Sequence, residues 1–348
     1  MNILITGGGT GGHLAIAKAV AEALHKRGHT LYFIGSTHGQ DRAWFAHETL
    51  FKERYFLATQ GVVNQRGIGL VKSAVSMFKA FLEARALLKQ LKIERVFSVG
   101  GYSAAPAALA GLGLGIALFI HEQNARIGTL NRLLKPFCTR FFSSYITNLG
   151  KDSRVDYPVR DCFFNHARVR SEVKNVLFLG GSQGASAINN YALKLAPILK
   201  DKGINIAHQC GEREYERLKD SYKSLGIEVA LFAFDEKLHE RMQWADLAVS
   251  RAGASTLWEL CANGLPALFI PYPYAASDHQ YHNARFILER DLGFLVREGE
   301  LSEESLLKIL NQNLQKKSQK LREIIKKGAS ERIALYIELT SSSVESRE

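Results

Sequence analysis

The stretch Asn2-Ile-Leu-Ile-Thr-Gly-Gly8 returns 173 residues later as Asn175-Val-Leu-Phe-Leu-Gly-Gly181. Each copy is a short apolar run that ends in glycines and leads into a helical pattern, as a β-strand, a glycine loop and an α-helix do. Strand and helix patterns alternate through nearly the whole chain, which favours parallel sheets. The repeat therefore predicts an α/β protein with two Rossmann-like halves that face one another across a cleft.

The length of the chain also favours two domains. At 348 residues it exceeds the roughly 250–300 residues at which a single hydrophobic core stops growing. We place an inter-domain connector around Val155-Asp-Tyr-Pro158, ahead of the second copy of the repeat. The expected division is a first domain over residues 1–157, a second over residues 158–330, and a helical tail over residues 331–348 that packs back on the first domain.

The segment Ala252–Asn283 follows an apolar strand pattern, Leu247–Ser250, and gives the strongest indication of a ligand. We expect its helix to open at Ser255 or Thr256, with Glu259 in the position of a capping box. The start of a helix presents backbone N–H groups to an anion such as a diphosphate, and Glu259 would lie within reach of a neighbouring ribose diol. The alternative is a capped βα unit in which Glu259 is only structural.

The second half of this segment favours the ligand. The helix is expected to end near Gly264-Leu-Pro266, before an apolar strand at Ala267–Ile270. Polar side chains then crowd into Asp278-His-Gln-Tyr-His-Asn283, just past the carboxyl end of that strand. Open α/β sheets place their ligands at this edge.

The first glycine loop, Gly7-Gly-Gly-Thr-Gly-Gly-His13, superficially fits a dinucleotide-binding pattern. The next strand, Leu31–Ile34, ends in Gly35-Ser36 without the acidic residue that a nicotinamide ribose needs. A P-loop is excluded too, because His13 stands where that motif requires Lys. We therefore expect a loop that allows close backbone approach to a ligand, with His13 at the start of the helix.

A second polar cluster, His121-Glu-Gln-Asn124, directly follows a buried strand pattern. Four polar residues at such a place are costly unless they are paired or face a ligand site. For a lone histidine a structural role would be favoured, but for this cluster in an α/β crevice we favour a functional one.

Cysteine spacing and hydropathy place limits on the class of protein. The four cysteines are scattered without a C-x-x-C pair, which fits a reducing cytoplasm and neither a disulfide framework nor a zinc site. The start of the chain shows no signal peptide. Val96–Ile120 is uncharged and long enough to span a bilayer, but glycines and Pro106 interrupt it. We predict a strand at Arg95–Val99, a helix from Pro106 and a strand at Ile116–Ile120.

The net charge of +11 lies entirely in the first half of the chain. Residues 1–160 contain 20 basic and 9 acidic residues, whereas residues 161–348 contain 25 of each. Such asymmetry suggests a polyanion or an anionic membrane as partner, with a merely basic surface as the alternative. No helix-turn-helix, zinc finger or RNP-like pattern is present, so we expect no nucleic-acid partner.

A basic amphipathic helix within Leu70–Arg85 favours the membrane. Its apolar residues can share one face, and its lysines lie around that face, as in a helix that docks on a lipid surface. The expected docking residues are Val71, Lys72, Val75, Phe78, Lys79 and Leu82.

Specific motifs occur in one order along the chain: Gly8-Gly-Thr-Gly-Gly-His13, Ser98-Val-Gly-Gly-Tyr102, His121-Glu-Gln-Asn124, Pro158-Val-Arg160, Gly180-Gly-Ser-Gln-Gly184, Arg251–Glu259, Gly264-Leu-Pro266 and Gln280. Together they resemble the MurG family, the bacterial N-acetylglucosaminyltransferases that convert lipid I to lipid II in peptidoglycan synthesis. The resemblance runs from residue 2 to about 330. It implies a GT-B fold, UDP-N-acetylglucosamine (UDP-GlcNAc) as donor, lipid I as acceptor, and inversion at the anomeric carbon.

The resemblance also implies roles for individual residues. Ser182 and Arg160 would bind the UDP diphosphate, Glu259 the ribose and Phe234 the uracil. Further donor and acceptor contacts would come from Thr10, Gly11, Gly12, Asn124, Ala254, Ser255, Thr256, Leu257 and Gln280. We expect His13 as the general base, with Glu122 or His121 as alternatives, because an inverting transfer needs a base for the acceptor hydroxyl. No Asp-x-Asp motif is present, so neither metal nor cofactor is expected.

The family also implies a place in the cell. We expect a peripheral protein on the anionic cytoplasmic face of the bacterial inner membrane, active in cell-wall synthesis, cell shape and cell division, with other cell-wall synthesis proteins as candidate partners. His279 departs from the Gln that is frequent in the family before Gln280, so the resemblance does not define the donor-sugar contacts at this position. A glycolipid synthase or UDP-sugar epimerase of the same fold, and a non-enzymatic UDP-sugar-binding protein, are the alternatives.

Overall fold

A computed structural model describes residues 1–59, 68–145, 152–181 and 184–340, except for the side chains of residues 68–71 and 152. The chain divides into two compact units. Unit 1 contains residues 1–158 together with the C-terminal segment from Gly328, and unit 2 contains residues 159–327. The break falls between Pro158 and Val159.

Unit 1 is built on a parallel sheet. In its described residues seven strands pair in the order β3-β2-β1-β4-β5-β6-β7. The strands are β1 (Asn2–Thr6), β2 (Thr30–Ser36), β3 (Glu53–Leu57), β4 (Arg95–Ser98), β5 (Ala117–Glu122), β6 (Arg140–Ser143) and β7 (Asp152–Arg154). The connecting helices are α1 (Gly11–Lys26), α2 (Asp41–Phe45), α3 (Ile68–Gln90), α4 (Ala105–Gly113) and α5 (Thr129–Leu134).

The central strands of unit 1 are buried on both faces because helices cover the sheet on each side. Ile3, Leu4 and Ile5 of β1 are fully buried, which explains why β1 is a continuous apolar run and does not alternate. The α4 helix lies between β4 and β5, starting just before Pro106, whose fixed φ suits the first turn.

Unit 2 repeats this architecture with a parallel sheet whose described strands follow the order β10-β9-β8-β11-β12-β13. The strands are β8 (Asn175–Leu179), β9 (Asn205–Gln209), β10 (Ala230–Phe232), β11 (Leu247–Ser250), β12 (Ala267–Phe269) and β13 (Phe294–Leu295). The helices are α6 (Asp161–Asn165), α7 (Ser186–Asp201), α8 (Tyr215–Ser224), α9 (Leu238–Trp244), α10 (Ala254–Asn263), α11 (His279–Leu288), α12 (Glu303–Leu310) and α13 (Gln315–Ile324).

The last described helix, α14 (Ala329–Leu339), returns to unit 1 and packs against α1. Arg27 Nε, at the end of α1, donates a hydrogen bond of 2.7 Å to Glu338. The strongly polar residues 341–348 of the expected tail lie outside the described part of the chain.

The uncharged stretch Val96–Ile120 is divided as predicted. It forms part of β4, a glycine turn, the α4 helix and most of β5. Among the described residues no helix is both long and apolar enough to cross a membrane. The β5 strand does, however, extend two residues beyond its predicted end at Ile120. His121 and Glu122 therefore belong to the strand and are buried within unit 1.

The start of α10 differs from the prediction as well. The helix begins at Ala254, with Gly253 in extended conformation as its N-cap and without a side-chain cap. Glu259 is consequently the sixth residue of the helix and takes no part in a capping box. The predicted end is correct, because Gly264 closes the helix in the left-handed conformation at φ 68°.

Candidate active site

Loops of unit 1 meet at the carboxyl ends of β1, β2 and β4. The carboxylate of Asp41, which is fully buried, accepts hydrogen bonds from the N–H groups of Gly9 and Ser36, the latter at 2.8 Å. Burial raises the pKa of the Asp41 carboxyl, and these backbone hydrogen bonds oppose that increase. A Cβ on Gly8 would lie 2.4 Å from the Asp41 carboxylate, and one on Gly101 would lie 2.6 Å from Gly8 O. The glycines thus allow the loops to pack directly on one another.

The first turn of α1 carries the predicted Thr10, Gly11, Gly12 and His13. Thr10 Oγ1 lies 2.8 Å from His13 Nδ1, which is hydrogen-bonding distance. Thr10 is exposed and His13 is partly exposed. The threonine therefore orients a partly exposed imidazole.

Glu122, an alternative for the base, is buried and held by its surroundings. Its carboxylate accepts hydrogen bonds from Asn124 N at 2.9 Å, Gly128 N at 2.9 Å and Asn131 Nδ2 at 3.0 Å. Both carboxylate oxygens are used in this way, so Glu122 braces the loop that carries Asn124. Asn124 itself is partly exposed, just beyond the carboxyl end of β5.

His121, the other alternative, is fully buried in β5. Within the described part of the chain neither of its ring nitrogens has a hydrogen-bond partner, and the ring packs edge-on against Tyr157 at 5.9 Å between centroids. Burial, assisted by the neighbouring His13, lowers the pKa of His121 to about 3. His121 is therefore a neutral side chain of the interior, without solvent access.

The residues predicted to bind the diphosphate, the ribose and the uracil belong to unit 2. Arg160 is exposed at the N-cap of α6, with its guanidinium 5.3 Å from the centre of the Phe163 ring. Phe234 presents 63% of its surface to solvent beyond the end of β10, which leaves an aromatic face for stacking. Ser182 lies outside the described residues.

Glu259 is partly exposed, but it is surrounded by protein on α10. Desolvation raises the pKa of its carboxyl to about 7, and attraction to the Arg160 guanidinium acts against this increase. The charges of these two predicted donor-binding residues therefore interact. A carboxyl with so perturbed a pKa is typical of functional sites.

The first turn of α10 contains Ala254, Ser255, Thr256 and Leu257. Ser255 and Thr256 are partly exposed, whereas Ala254 and Leu257 are buried. Leu257 N already donates to Gly253 O at 3.0 Å. An anion at this helix start therefore depends on the N–H groups that precede Leu257.

The predicted Gln280 is hydrogen-bonded to the loop that follows β12. Gln280 Oε1 accepts a hydrogen bond of 3.0 Å from Tyr272 N, and His279 Nδ1 lies 2.9 Å from Ala276 O. Ser277 and Asp278 both have φ 54°, a left-handed conformation that costs non-glycine residues free energy and is concentrated at functional loops. The Asp278 carboxylate is paired with Arg297 at 3.0 Å.

Arg251 is a residue whose role the sequence did not reveal, although it opens one of the motifs. Its guanidinium donates to Ile270 O at 3.0 Å and Pro271 O at 3.2 Å, and pairs with Glu298 at 2.6 Å. It thereby ties the loop after β11 to the loop after β12. Only the position of the motif after a strand could have suggested this role.

The predicted docking residues lie on α3. They occupy one face of this helix, and the opposite face packs against the core of unit 1. Ala80, Ala84 and Leu88 are buried, whereas the exposed face holds Val75, Phe78 and Leu82 with 50%, 61% and 49% of their surfaces in solvent. Lys72 and Lys79 are exposed as well. The side chain of Val71 lies outside the described residues. Among the described residues, an apolar face with lysines is thus exposed on this helix.

Comparisons with known proteins agree along the whole chain. Residues 3–143 match the glycosyltransferase family 28 N-terminal domain, and residues 175–338 match the glycosyltransferase family 28 C-terminal domain. A UDP-N-acetylglucosamine--N-acetylmuramyl-(pentapeptide) pyrophosphoryl-undecaprenol N-acetylglucosamine transferase of Wolinella succinogenes is 63% identical over 97% of this chain and 99% of its own length. The protein of the same name from Campylobacter jejuni is 48% identical over 98% of this chain and 99% of its own length.

Solved structures give the same result for the fold. The crystal structure of Acinetobacter baumannii MurG has a TM-score of 0.80 at 27% identity, covering 97% of this chain and 99% of that one. The glycosyltransferase of kitacinnamycin, with a TM-score of 0.70 and 14% identity over 97% of this chain and 98% of its own, shares the fold alone. The predicted α/β class with two Rossmann-like units, the GT-B fold, is therefore confirmed. The chain belongs to the MurG family of N-acetylglucosamine transferases, within glycosyltransferase family 28.

Proposed function

We propose that this protein is an inverting glycosyltransferase of peptidoglycan synthesis. It moves N-acetylglucosamine from UDP-GlcNAc to the 4-hydroxyl of the muramic acid in undecaprenyl-pyrophosphate-linked MurNAc-pentapeptide, which converts lipid I to lipid II. The observation that carries this proposal is 63% identity over 97% of the chain to a relative with that transferase name. The described parts of the site supply groups of the kinds that the reaction needs.

Unit 2 binds the donor in this proposal. The uracil stacks on the exposed ring of Phe234, and the carboxylate of Glu259 accepts hydrogen bonds from the ribose hydroxyls. The diphosphate lies between Arg160 and the start of α10, where a cation and the helix N-terminus favour negative charge. Ser182 and Gln280 complete the contacts with the phosphates and the sugar.

Unit 1 binds the acceptor and supplies the base. His13 removes the proton from the muramic acid 4-hydroxyl while that oxygen forms a bond to the anomeric carbon. The bond from the anomeric carbon to the UDP oxygen breaks on the opposite face, so the α-linked donor gives a β-linked product. Arg160 and the α10 start stabilise the charge that develops on the departing UDP. His13 is favoured over Glu122 and His121 because it alone of these three described residues is partly exposed.

The exposed face of α3 docks on the cytoplasmic surface of the bacterial inner membrane, where a polyprenyl-linked acceptor resides. Val75, Phe78 and Leu82 insert among lipid chains, and Lys72 and Lys79 attract anionic headgroups. As a peripheral enzyme of cell-wall biogenesis, it supports cell shape and division, and other cell-wall synthesis proteins are its expected partners.

Incubation with UDP-GlcNAc and a lipid I analogue, followed by UDP release and product analysis, tests this function. We expect equal amounts of UDP and a β-1,4-linked GlcNAc-MurNAc product, and no change of UDP-GlcNAc without the acceptor. Epimerised donor in the absence of acceptor would show a UDP-sugar epimerase. Transfer to diacylglycerol but not to the lipid I analogue would show a glycolipid synthase, and binding without turnover would show a UDP-sugar-binding protein.

A further inference from the structure

Two short elements of unit 2 carry the proposed donor ligands Arg160 and Glu259. Arg160 precedes α6, a helix of five residues, and Glu259 lies on α10. An isolated helix of this length is not stable in water, so the place of α6 depends on the contacts that hold it. The α6 helix packs against α10.

Asn263, the last residue of α10, makes the polar part of this contact. Its fully buried side-chain amide donates hydrogen bonds to Phe163 O at 3.2 Å and to His166 O at 3.1 Å. These carbonyls lie at the end of α6, where a helix leaves its C=O groups without partners of its own. One side chain on α10 therefore caps the helix that presents Arg160.

Arg170 fixes the orientation of Asn263 from the other side. The buried Arg170 guanidinium donates to both Asn263 Oδ1 and Asn263 O. Its remaining N–H groups donate to Met242 O at 2.8 Å, Ala245 O at 3.1 Å and Arg168 O at 2.6 Å. A guanidinium has five N–H groups and all five are used. Because Oδ1 must face this donor, the amide nitrogen of Asn263 must face α6.

We propose that Asn263 is a positioning residue for the donor site, which sets the place of Arg160 relative to Glu259. The proposal rests on the donor roles of Arg160 and Glu259 given above. With α6 fixed to the end of α10, the guanidinium meets the diphosphate of a nucleotide whose ribose is held by Glu259. The chemical class that this pair of residues selects is a nucleoside diphosphate, in preference to a nucleoside alone.

A double-mutant cycle on the full chain tests the proposal, with affinities for UDP and for uridine measured by calorimetry. Asn263→Asp keeps an acceptor for Arg170 and removes both N–H donors to α6, and Asn263→Ala removes the whole group. We expect each variant to weaken UDP binding about tenfold, the value of one or two hydrogen bonds, and to leave uridine binding unchanged. In an Arg160→Ala background the same substitutions have no further effect on UDP.

Uridine binding also reports that unit 2 of each variant is folded. Asn205→Ala, which removes an exposed asparagine bonded to Asn175, serves as control and should leave both affinities unchanged. If the Asn263 variants lose as much UDP affinity without Arg160 as with it, or lose as much affinity for uridine as for UDP, the positioning role is refuted. The assignment of the donor site would not be affected by either result. Unchanged UDP affinity in Arg160→Ala would remove the diphosphate assignment and the positioning role with it.

Discussion

The side-chain amide of Asn131 donates a hydrogen bond of 3.0 Å to the carboxylate of Glu122. Together with the N–H groups of Asn124 and Gly128, this amide occupies both oxygens of a buried acid. A carboxylate in such a setting is a structural acceptor and is poorly placed to take a proton from a substrate. The Glu122–Asn131 hydrogen bond therefore argues against Glu122 as the general base and in favour of His13.

His13→Ala is expected to lower kcat by about 10²–10⁴-fold, the usual contribution of a general base. It should also abolish the decline of kcat on the acidic side of the pH profile, because that decline reports protonation of the base. Glu122→Gln should reduce kcat less and keep the acidic decline, since it only loosens the Asn124 loop. If kcat no longer decreased at low pH in Glu122→Gln but still did so in His13→Ala, the general base would be Glu122.

Glu259 should make nucleoside binding depend on pH near neutrality. The pKa of its carboxyl is raised to about 7, so the group is protonated below that pH and ionised above it. Only the ionised form accepts hydrogen bonds on both oxygens, and the affinity for uridine should therefore increase as pH rises from about 6 to about 8. Uridine is the ligand of choice because it carries no titrating phosphate. In Glu259→Gln the affinity should be lower and nearly independent of pH; an unchanged pH dependence in that variant would refute the assignment.

The exposed apolar face of α3 predicts lipid binding that substitutions on this face weaken. Phe78→Ser, or charge reversal of Lys72 and Lys79, should reduce sedimentation with phosphatidylglycerol vesicles several-fold, because both the buried apolar area and the attraction to anionic lipid decrease. Turnover of a water-soluble acceptor analogue should stay unchanged. Leu225→Ser removes a comparably exposed apolar residue from unit 2 and should leave vesicle binding intact. Vesicle binding that is equally strong in all variants would exclude α3 as the docking element.

The buried guanidinium of Arg170 should be important for the stability of unit 2. Arg170→Met leaves the acceptors on α9 and α10 without partners inside the protein, and we expect a loss of about 3 kcal/mol or more in the free energy of unfolding. Arg285→Ala, which removes an exposed ion pair with Glu289, should cost less than about 1 kcal/mol. Urea unfolding in a Trp44→Phe background, followed by the fluorescence of the unit 2 tryptophans Trp244 and Trp258, measures both. Similar stabilities of the two variants would contradict the structural role of Arg170.

The fold could be predicted well where buried strands are continuous apolar runs. The bounds of β1, β8 and β11 agree with the predicted strands, because central parallel strands have no polar face. The β3 strand was not predicted. Its Glu53-Arg-Tyr-Phe-Leu57 sequence is half polar, since it lies at the edge of the sheet where one side stays in solvent.

The site could be predicted only as far as local sequence determines it. His13 in the first turn of α1 and Arg160 at the N-cap of α6 lie at helix starts, as their motifs indicated, and Glu259 lies within α10. The burial of His121 and Glu122 depends on β5 continuing two residues beyond its apolar run, which hydropathy alone does not show. The start of α10 depends on Arg251 holding its loop to the carbonyls after β12, a contact across 19 residues that no local pattern contains.

A crystal structure of the full chain with bound UDP tests the central claim most directly, namely that unit 2 holds the donor nucleotide. The account predicts the uracil at Phe234, the ribose hydroxyls at the Glu259 carboxylate, and the diphosphate between Arg160 and the start of α10. A nucleotide bound instead against the Gly7–Gly12 loop of unit 1 would contradict it.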